Sequence, residues 1–338
     1  MRVLMVTNPL PTASEPGGLA PLVRQIASLQ ALGVESEVLE VCGFPKLKYL
    51  WTWPALRTLL PTVDLVHAHF GYCGWLSRSQ FAKPVVISFM GDDLLGTPDA
   101  GGRIEAWSKP QIVINRWLAR AVDAVIVKSA EMARVIAPVP ARIIPNGVDL
   151  QRFQPMPRRE VRHRLGWNAE SYYVLFPGNP ANPRKGFPLA QAVITQASIR
   201  LSQPLELVPL RGVAPDRVPL YMNGCDAMLM TSFIEGSPNV VKEAMACNLP
   251  VVSVVVGDTQ ELLSRVQGYR ICPRNAEALA EALVDVLAHP PEAQGRSALK
   301  HKGLDQESVA RQIRQLYTMV LERSVLTSHD SSSMRGGA

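Results

Sequence analysis

The sequence predicts an α/β protein built from two doubly wound, Rossmann-like parallel-sheet domains. Three observations carry that reading. Short apolar runs of strand length alternate with amphipathic helical stretches from residue 3 to about residue 150. A proline-rich, basic bridge, Gln154-Pro-Met-Pro-Arg-Arg, then interrupts the alternation. A new buried strand, Tyr173-Val-Leu-Phe, restarts it. Such alternation builds parallel sheets, because returning to the same edge of a parallel sheet takes a crossover helix. At 338 residues and 47% apolar, the chain is long and apolar enough for two cores.

The elements follow in order. Residues 3–6 form a first buried strand, closed by Asn8-Pro9-Leu10-Pro11. The glycine turn Glu15-Pro-Gly17-Gly18 opens an amphipathic helix running to about Leu32. Strand, glycine loop and helix together let backbone N–H groups approach a phosphate, although the turn is neither a G-x-G-x-x-G fingerprint nor a Walker loop. Residues 34–41 give the second strand. Residues 46–57 combine Lys46, Lys48 and Arg57 with Tyr49, Trp51 and Trp53. They read either as a membrane-interface patch or as a helix whose aromatics pack on the sheet, and packing is the expectation. Asp64-Leu-Val-His67-Ala-His69 is a strand with a polar tip, at the end where open parallel sheets bind ligands. Its two histidines point the same way, yet no third ligand stands near them in sequence, which argues against zinc; one should pack and one should reach a cleft. A further strand ends at Met90-Gly91-Asp92-Asp93, where Asp92 is a candidate base or hydroxyl anchor, or simply a turn cap. Residues 109–121 are helical, residues 124–129 form a strand, and Ile143-Ile-Pro-Asn146-Gly147 pairs a strand with a turn.

In the second half, the strand at residue 173 leads into Asn179-Pro-Ala-Asn-Pro-Arg184-Lys185-Gly186, two cations beside a helix start. Strands at residues 205–210 and 225–232 follow, the latter delivering Glu235-Gly-Ser-Pro-Asn-Val-Val-Lys-Glu243. Ser237 is an N-cap type and Pro238 suits the first helical position, so a short helix is expected from Pro238 to about Asn248. A helix N-terminus between two carboxylates offers hydroxyl acceptors at both ends and N–H donors for phosphate between, which suits a nucleotide-sugar. A plain strand-to-helix turn has the same residues. The strand at residues 251–256 ends in Gly257-Asp258-Thr259, a helix spans 276–288, and a last helix spans about 306–323. Residues 327–338, rich in Ser and Gly, are expected to be disordered.

Composition narrows the partners. A net charge of +6 favours an anionic one, and no nucleic-acid-binding motif is present. The five cysteines, Cys42, Cys73, Cys225, Cys247 and Cys272, have neither metal nor redox spacing and read as reduced thiols of a cytoplasmic protein. The start of the chain is too short an apolar run for a signal peptide, and no stretch has the length of a membrane span.

The stretch Glu235, seven residues, Glu243, set in a frame E-G-x-P-x-x-x-x-E-A-x-A that is met at every fixed position, resembles the signature of retaining GT-B glycosyltransferases of family 4. The resemblance covers nearly the whole chain and is similar above all to a polysaccharide-biosynthesis branch. It implies the GT-B fold, with an acceptor-side domain at 1–150, a nucleotide-sugar domain at 151–305 and an interdomain cleft. It also implies a helix at 306–323 that crosses back to the first domain. Glu235, Lys185 and Asp92 are then the candidate catalytic residues. Gly18, Arg184, Lys185, Glu235, Gly236, Ser237, Pro238, Asn239, Val240 and Glu243 would bind the donor, Glu243 through the ribose and Gly18 near the diphosphate. His69, Met90 and Asp92 would line the acceptor side. Two positions depart from the family: Met90 stands where a histidine is usual, and Asn179 where an arginine is. No metal and no cofactor are implied, the nucleotide-sugar being a substrate and the acceptor a glycan or lipid-linked glycan. Peripheral contact with an anionic inner membrane face goes with that acceptor. A nucleotide-sugar epimerase of the same fold, or a nucleotide-sugar-binding protein without transfer, are the other readings.

Overall fold

A computed structural model of the chain describes residues 1–10, 19–44 and 47–333, with side chains as far as Leu326. Gly17, Gly18 and Lys46 lie outside the described residues. The chain divides into two compact units, one comprising Met1–Leu94, Pro110–Pro145 and Glu307–Ala338, the other Leu95–Lys109 and Asn146–Gln306. Relative to the expected ranges, the break falls at Asn146, and Leu95–Lys109 groups with the second unit.

The first unit alternates strands β1 (Arg2–Thr7), β2 (Glu35–Glu40), β3 (Leu65–His69), β4 (Val85–Ser88), β5 (Ala124–Val127) and β6 (Arg142–Ile143) with helices. The helices are α1 (Ala20–Ala31), α2 (Lys48–Leu59), α3 (Gly71–Arg78), the short α4 (Asp92–Leu95), α5 (Lys109–Ala121) and α6 (Ala130–Ile136). Its sheet is parallel throughout, in the order β2-β1-β3-β4-β5-β6. Strand order therefore reverses between β1 and β3, leaving a crevice at their C-terminal ends. The central strands β3 and β4 are fully buried, as strands covered on both faces must be.

The second unit holds α7 (Arg158–Leu165), β7 (Tyr172–Phe176), α8 (Phe187–Ser198), β8 (Leu205–Pro209), α9 (Val218–Gly224) and β9 (Ala227–Met230). It continues through α10 (Asn239–Ala246), β10 (Val251–Val254), α11 (Thr259–Leu263), β11 (Tyr269–Cys272), α12 (Ala276–Ala288) and α13 (Gly295–His301). The parallel order β11-β10-β9-β7-β8 reverses between β7 and β9. Asp226, just before β9, anchors the start of the two central strands: it accepts from Arg162 at 2.6 Å, from Arg158 at 2.9 Å and from the Tyr173 N–H at 2.8 Å.

The last helix, α14 (Gln306–Ser333), belongs with the first unit. Val309, Ile313, Leu316, Tyr317 and Val320 fall on one face and join the core formed by Val3, Met5, Leu65 and Val86 of the sheet and Leu22, Ile26 and Leu29 of α1. The tail expected to be disordered from residue 327 is instead helical as far as Ser333. Small polar residues carry no apolar face, but they continue a helix whose preceding turns are already fixed by packing, because propagation costs far less than nucleation. Residues 334–338 lie outside the described residues.

Candidate active site

The second unit concentrates the signature residues at its topological switch point. Lys185 closes the connection after β7, and Glu235 lies on the connection after β9. Their side chains meet, Lys185 Nζ donating to Glu235 Oε1 at 2.7 Å, while Arg184 Nη2 stands 3.9 Å from the other carboxylate oxygen. The two cations thus converge on one carboxylate.

Backbone contacts lock the two connections together. The Phe233 N–H donates to the Arg184 carbonyl at 2.8 Å, and the Thr231 hydroxyl sits 3.0 and 3.1 Å from the carbonyls of Lys185 and Gly186. Gly186 has φ +66°, and a Cβ there would overlap the Thr231 carbonyl oxygen, so only glycine permits this approach. Arg274 closes the site from behind: its guanidinium donates to the carbonyls of Thr231 and Ser232 at 2.9 and 3.0 Å and lies 3.6 Å over the Phe233 ring.

The turn before α10 differs from expectation. Pro238, not Ser237, occupies the N-cap position with φ −68° and ψ 109°, and the helix starts at Asn239. Ser237 makes no capping bond because its hydroxyl is engaged elsewhere. It donates to Asp258 Oδ2 at 2.6 Å and accepts from Lys242 Nζ at 2.9 Å. Lys242 is 1% exposed, and burial brings its ammonium down to about 8, while burial raises the Asp258 carboxyl. Gly257, at φ +56°, brings the Asp258 turn against the carbonyls of Glu235 and Gly236, where a Cβ would sit 2.9 and 2.8 Å away. The buried Oδ1 atoms of Asn239 and Asp258 have no hydrogen-bond partner among the described residues. Val240 is half-buried beside them and Glu243 lies half-buried on α10, about one turn past its start.

In the first unit, β3 and β4 bring a polar cluster to the sheet. His67 is fully buried, its ring nitrogens 2.5 Å from Tyr317 Oη and 2.8 Å from Ser88 Oγ, and burial drives it down to about 3. His69, 4.2 Å away ring to ring, is held neutral by burial and has neither ring nitrogen bonded among the described residues. Both histidines are packed, His69 being 1% exposed, so the expectation that one reaches a cleft is not met; His69 is the one with bonding capacity left. Beyond β4, the carboxylate of Asp93, not Asp92, is the structural one: buried, it accepts from the N–H groups of Met90 and Gly91 and is raised to about 6 by burial. Asp92 is exposed at the start of α4, and Met90 is half-buried just before it. Among the described residues no group of His, Cys, Asp and Glu is placed to hold a metal ion.

Sequence reading missed Lys242, Thr231, Arg274 and Asp93, and took Asp258 only as part of a glycine turn. Lys242 stood inside the signature frame at a position the frame leaves open, and a lysine among Val241, Ala244 and Met245 on a short helix was the available signal.

Comparison with known proteins agrees with this architecture. Residues 13–152 match the family model described as Glycosyltransferase Family 4, and residues 183–289 match that described as Glycosyl transferases group 1. TuaC of Bacillus subtilis (strain 168), named as a teichuronic acid biosynthesis glycosyltransferase, is 29% identical over 249 residues, 67% of this chain and 61% of the relative. The match thus spans about three fifths of that relative's length. Sucrose-phosphate synthase from Thermosynechococcus elongatus superposes with a TM-score of 0.76 at 19% identity, covering 95% of this chain and 99% of that one. HepE of Anabaena, solved in complex with UDP and glucose, superposes with a TM-score of 0.70 at 19% identity over 94% of this chain and 100% of that one. The fold and the two matched segments define a GT-B protein. The superpositions show the GT-B fold, and the two matched segments make the chain similar to family 4 and group 1 glycosyltransferases.

Proposed function

We propose that the chain transfers a hexose-type sugar from a UDP-sugar to a hydroxyl of a glycan or lipid-linked acceptor, with retention of anomeric configuration, in the cytoplasm. The product would be a cell-surface polysaccharide or glycolipid. The observation that carries this reading is the Lys185–Glu235 pair at the β7/β9 switch point, with Arg184 beside it. A diphosphate needs cations, and a transferred sugar needs a hydroxyl acceptor next to them; the pair supplies both within one contact.

In this reading Lys185 and Arg184 take the charge that builds on the departing diphosphate, so the reaction uses no metal ion. Glu235 accepts from hydroxyls of the transferred sugar, and backbone groups of Gly236, Ser237, Pro238, Asn239 and Val240 face it. Glu243 accepts from the ribose hydroxyls, and Gly18 stands near the diphosphate. His69, Met90 and Asp92 belong to the acceptor, Asp92 as the base or hydroxyl anchor. The acceptor hydroxyl attacks on the face from which the diphosphate leaves. The relatives support the class of donor and product: HepE was solved in complex with UDP and glucose, and TuaC is named for teichuronic acid biosynthesis.

Turnover of UDP-hexoses with glycan acceptors tests this, paired with calorimetric donor binding. Lys185→Ala and Glu235→Ala should each lower turnover by about a hundredfold or more. Unchanged product formation in both variants would remove the catalytic assignment. Conversion of the donor without acceptor would instead assign an epimerase, and tight donor binding without any turnover a binding protein.

A further inference from the structure

The aromatic segment expected to pack on the sheet does not do so. α2 buries only Thr52 and Leu56, and turns Leu50 (69% exposed) and Trp51 (62%) to solvent, with Leu47 just ahead of it also exposed. A surface helix normally presents charge outward and apolar groups inward, whereas this one presents large apolar groups outward as well. The exposed face continues beyond α2. Tyr72 and Trp75 of α3 lie next to it, the Tyr49 and Tyr72 rings being 5.5 Å apart and Trp53 Nε1 donating to Ser79 at 3.0 Å. Phe81, just past α3, is 82% exposed. α3 in turn meets α5 where Gly74 faces Leu118, and α5 exposes Val113, Ile114 and Trp117.

Cations are threaded through this face. Arg57 lies over Trp53, Arg78 over Phe81 and Arg120 over Trp117, at 4.9, 4.3 and 5.4 Å, and Arg116 on α5 is exposed as well. Carboxylates are missing from its sequence: residues 41–63, 70–91 and 106–122 contain no Asp or Glu. Contiguous exposed apolar surface on this scale marks an interaction site. The charge decides the partner. Tryptophans flanked by Arg and Lys, with no acid among them, complement anionic headgroups over hydrocarbon, whereas a protein surface of mixed charge would call for acids here as well.

We propose that the face formed by α2, α3 and α5 docks the first unit on an anionic lipid bilayer, the exposed Leu50, Trp51 and Phe81 entering the interface and the arginines meeting the headgroups. This goes beyond the proposed activity and does not depend on it. Co-sedimentation of the full chain with vesicles tests it. Vesicles of phosphatidylglycerol and phosphatidylcholine should bind the protein, phosphatidylcholine alone should not, and salt should weaken binding. Leu50→Glu with Trp51→Glu should reduce the partition coefficient on the order of tenfold or more. Arg57→Gln should reduce it about fivefold. Trp51→Ala, a milder change, should weaken binding without a change in melting temperature. No binding to the anionic vesicles, or equal binding by the double variant, would overturn the proposal. So would a dimer in sedimentation velocity that Trp51→Glu dissolves, which would assign the face to a second copy. Turnover on a water-soluble acceptor separates the two proposals. If it persists while vesicle binding is absent, only the docking fails; if vesicles bind while no donor is turned over, only the transfer reading fails.

Discussion

Lys242 is buried, yet its ammonium has a value of about 8 and is charged at neutral pH. The Ser237 hydroxyl and the charge of Asp258 hold it. Its value in the unfolded chain is the ordinary 10.5, so between about 8 and 10.5 the unfolded state binds more protons. The contribution to stability is present above 10.5 and lost as pH falls through 8. Wild-type stability in urea should therefore rise relative to Lys242→Met over that window and hold a constant offset just below it. Gly186 gives a prediction of another kind. With φ +66° and no room for a Cβ, Gly186→Ala should cost more than about 1 kcal/mol in urea unfolding and lower turnover by displacing Lys185. Neither residue's role shows in sequence, for one reason. The frame around Glu235 and Glu243 is a local pattern, whereas the charge partner of Lys242, Asp258, and the neighbour of Gly186, Thr231, are delivered by other strands.

Helix α14 is tied to the first unit by Tyr317, whose hydroxyl reaches His67 across 250 residues of chain. Tyr317→Phe removes the partner of a buried ring nitrogen and should lower stability by about 1–3 kcal/mol, measurable by denaturant unfolding. The same histidine gives the unit an acid limit. His67 is depressed from 6.5 to about 3, so its contribution is full above 6.5 and lost as pH falls towards 3; His69 acts in the same direction. Asp93, raised from 3.8 to about 6, opposes this, favouring the folded state as pH falls across that range. His67→Gln should therefore flatten the loss of melting temperature between pH 6.5 and 4 while leaving the Asp93 part. The helical periodicity of α14 was legible, since Val309, Ile313, Leu316, Tyr317 and Val320 repeat at helical spacing. Its extension past residue 326 was not, because composition alone does not say where a helix already nucleated will stop. For α2, the pattern was legible but its orientation was not: a helix with aromatics on nearly every side has no preferred inward face in sequence.

At the scale of the whole chain, the first unit is discontinuous: its core is closed by residues that come after the entire second unit. A chain ending at Asp305 should lose the cooperative unfolding of the first unit and bind hydrophobic dyes, while one ending at Leu326 should unfold like the full chain. Near-ultraviolet circular dichroism distinguishes the two outcomes. The alternation of strands and helices, and so the two parallel sheets, could be read directly, since each element carries its own hydrophobic period. The strand orders and the grouping of Leu95–Lys109 with the second unit are properties of long-range pairing that no local period encodes.

The interlock of Gly186 with Thr231 also limits how this chain can be recombined with its relatives. The two residues lie 45 positions apart, on the connections after β7 and β9, with α8, β8, α9 and β9 between them. A chimera whose crossover falls within that interval joins a glycine loop from one parent to a threonine strand end from another. Such hybrids should fold yet misplace the Lys185–Glu235 contact unless both parents share the same pair. Crossovers placed before β7 or after α10 carry the interlock across intact, and these are the seams along which donor specificity should be exchangeable.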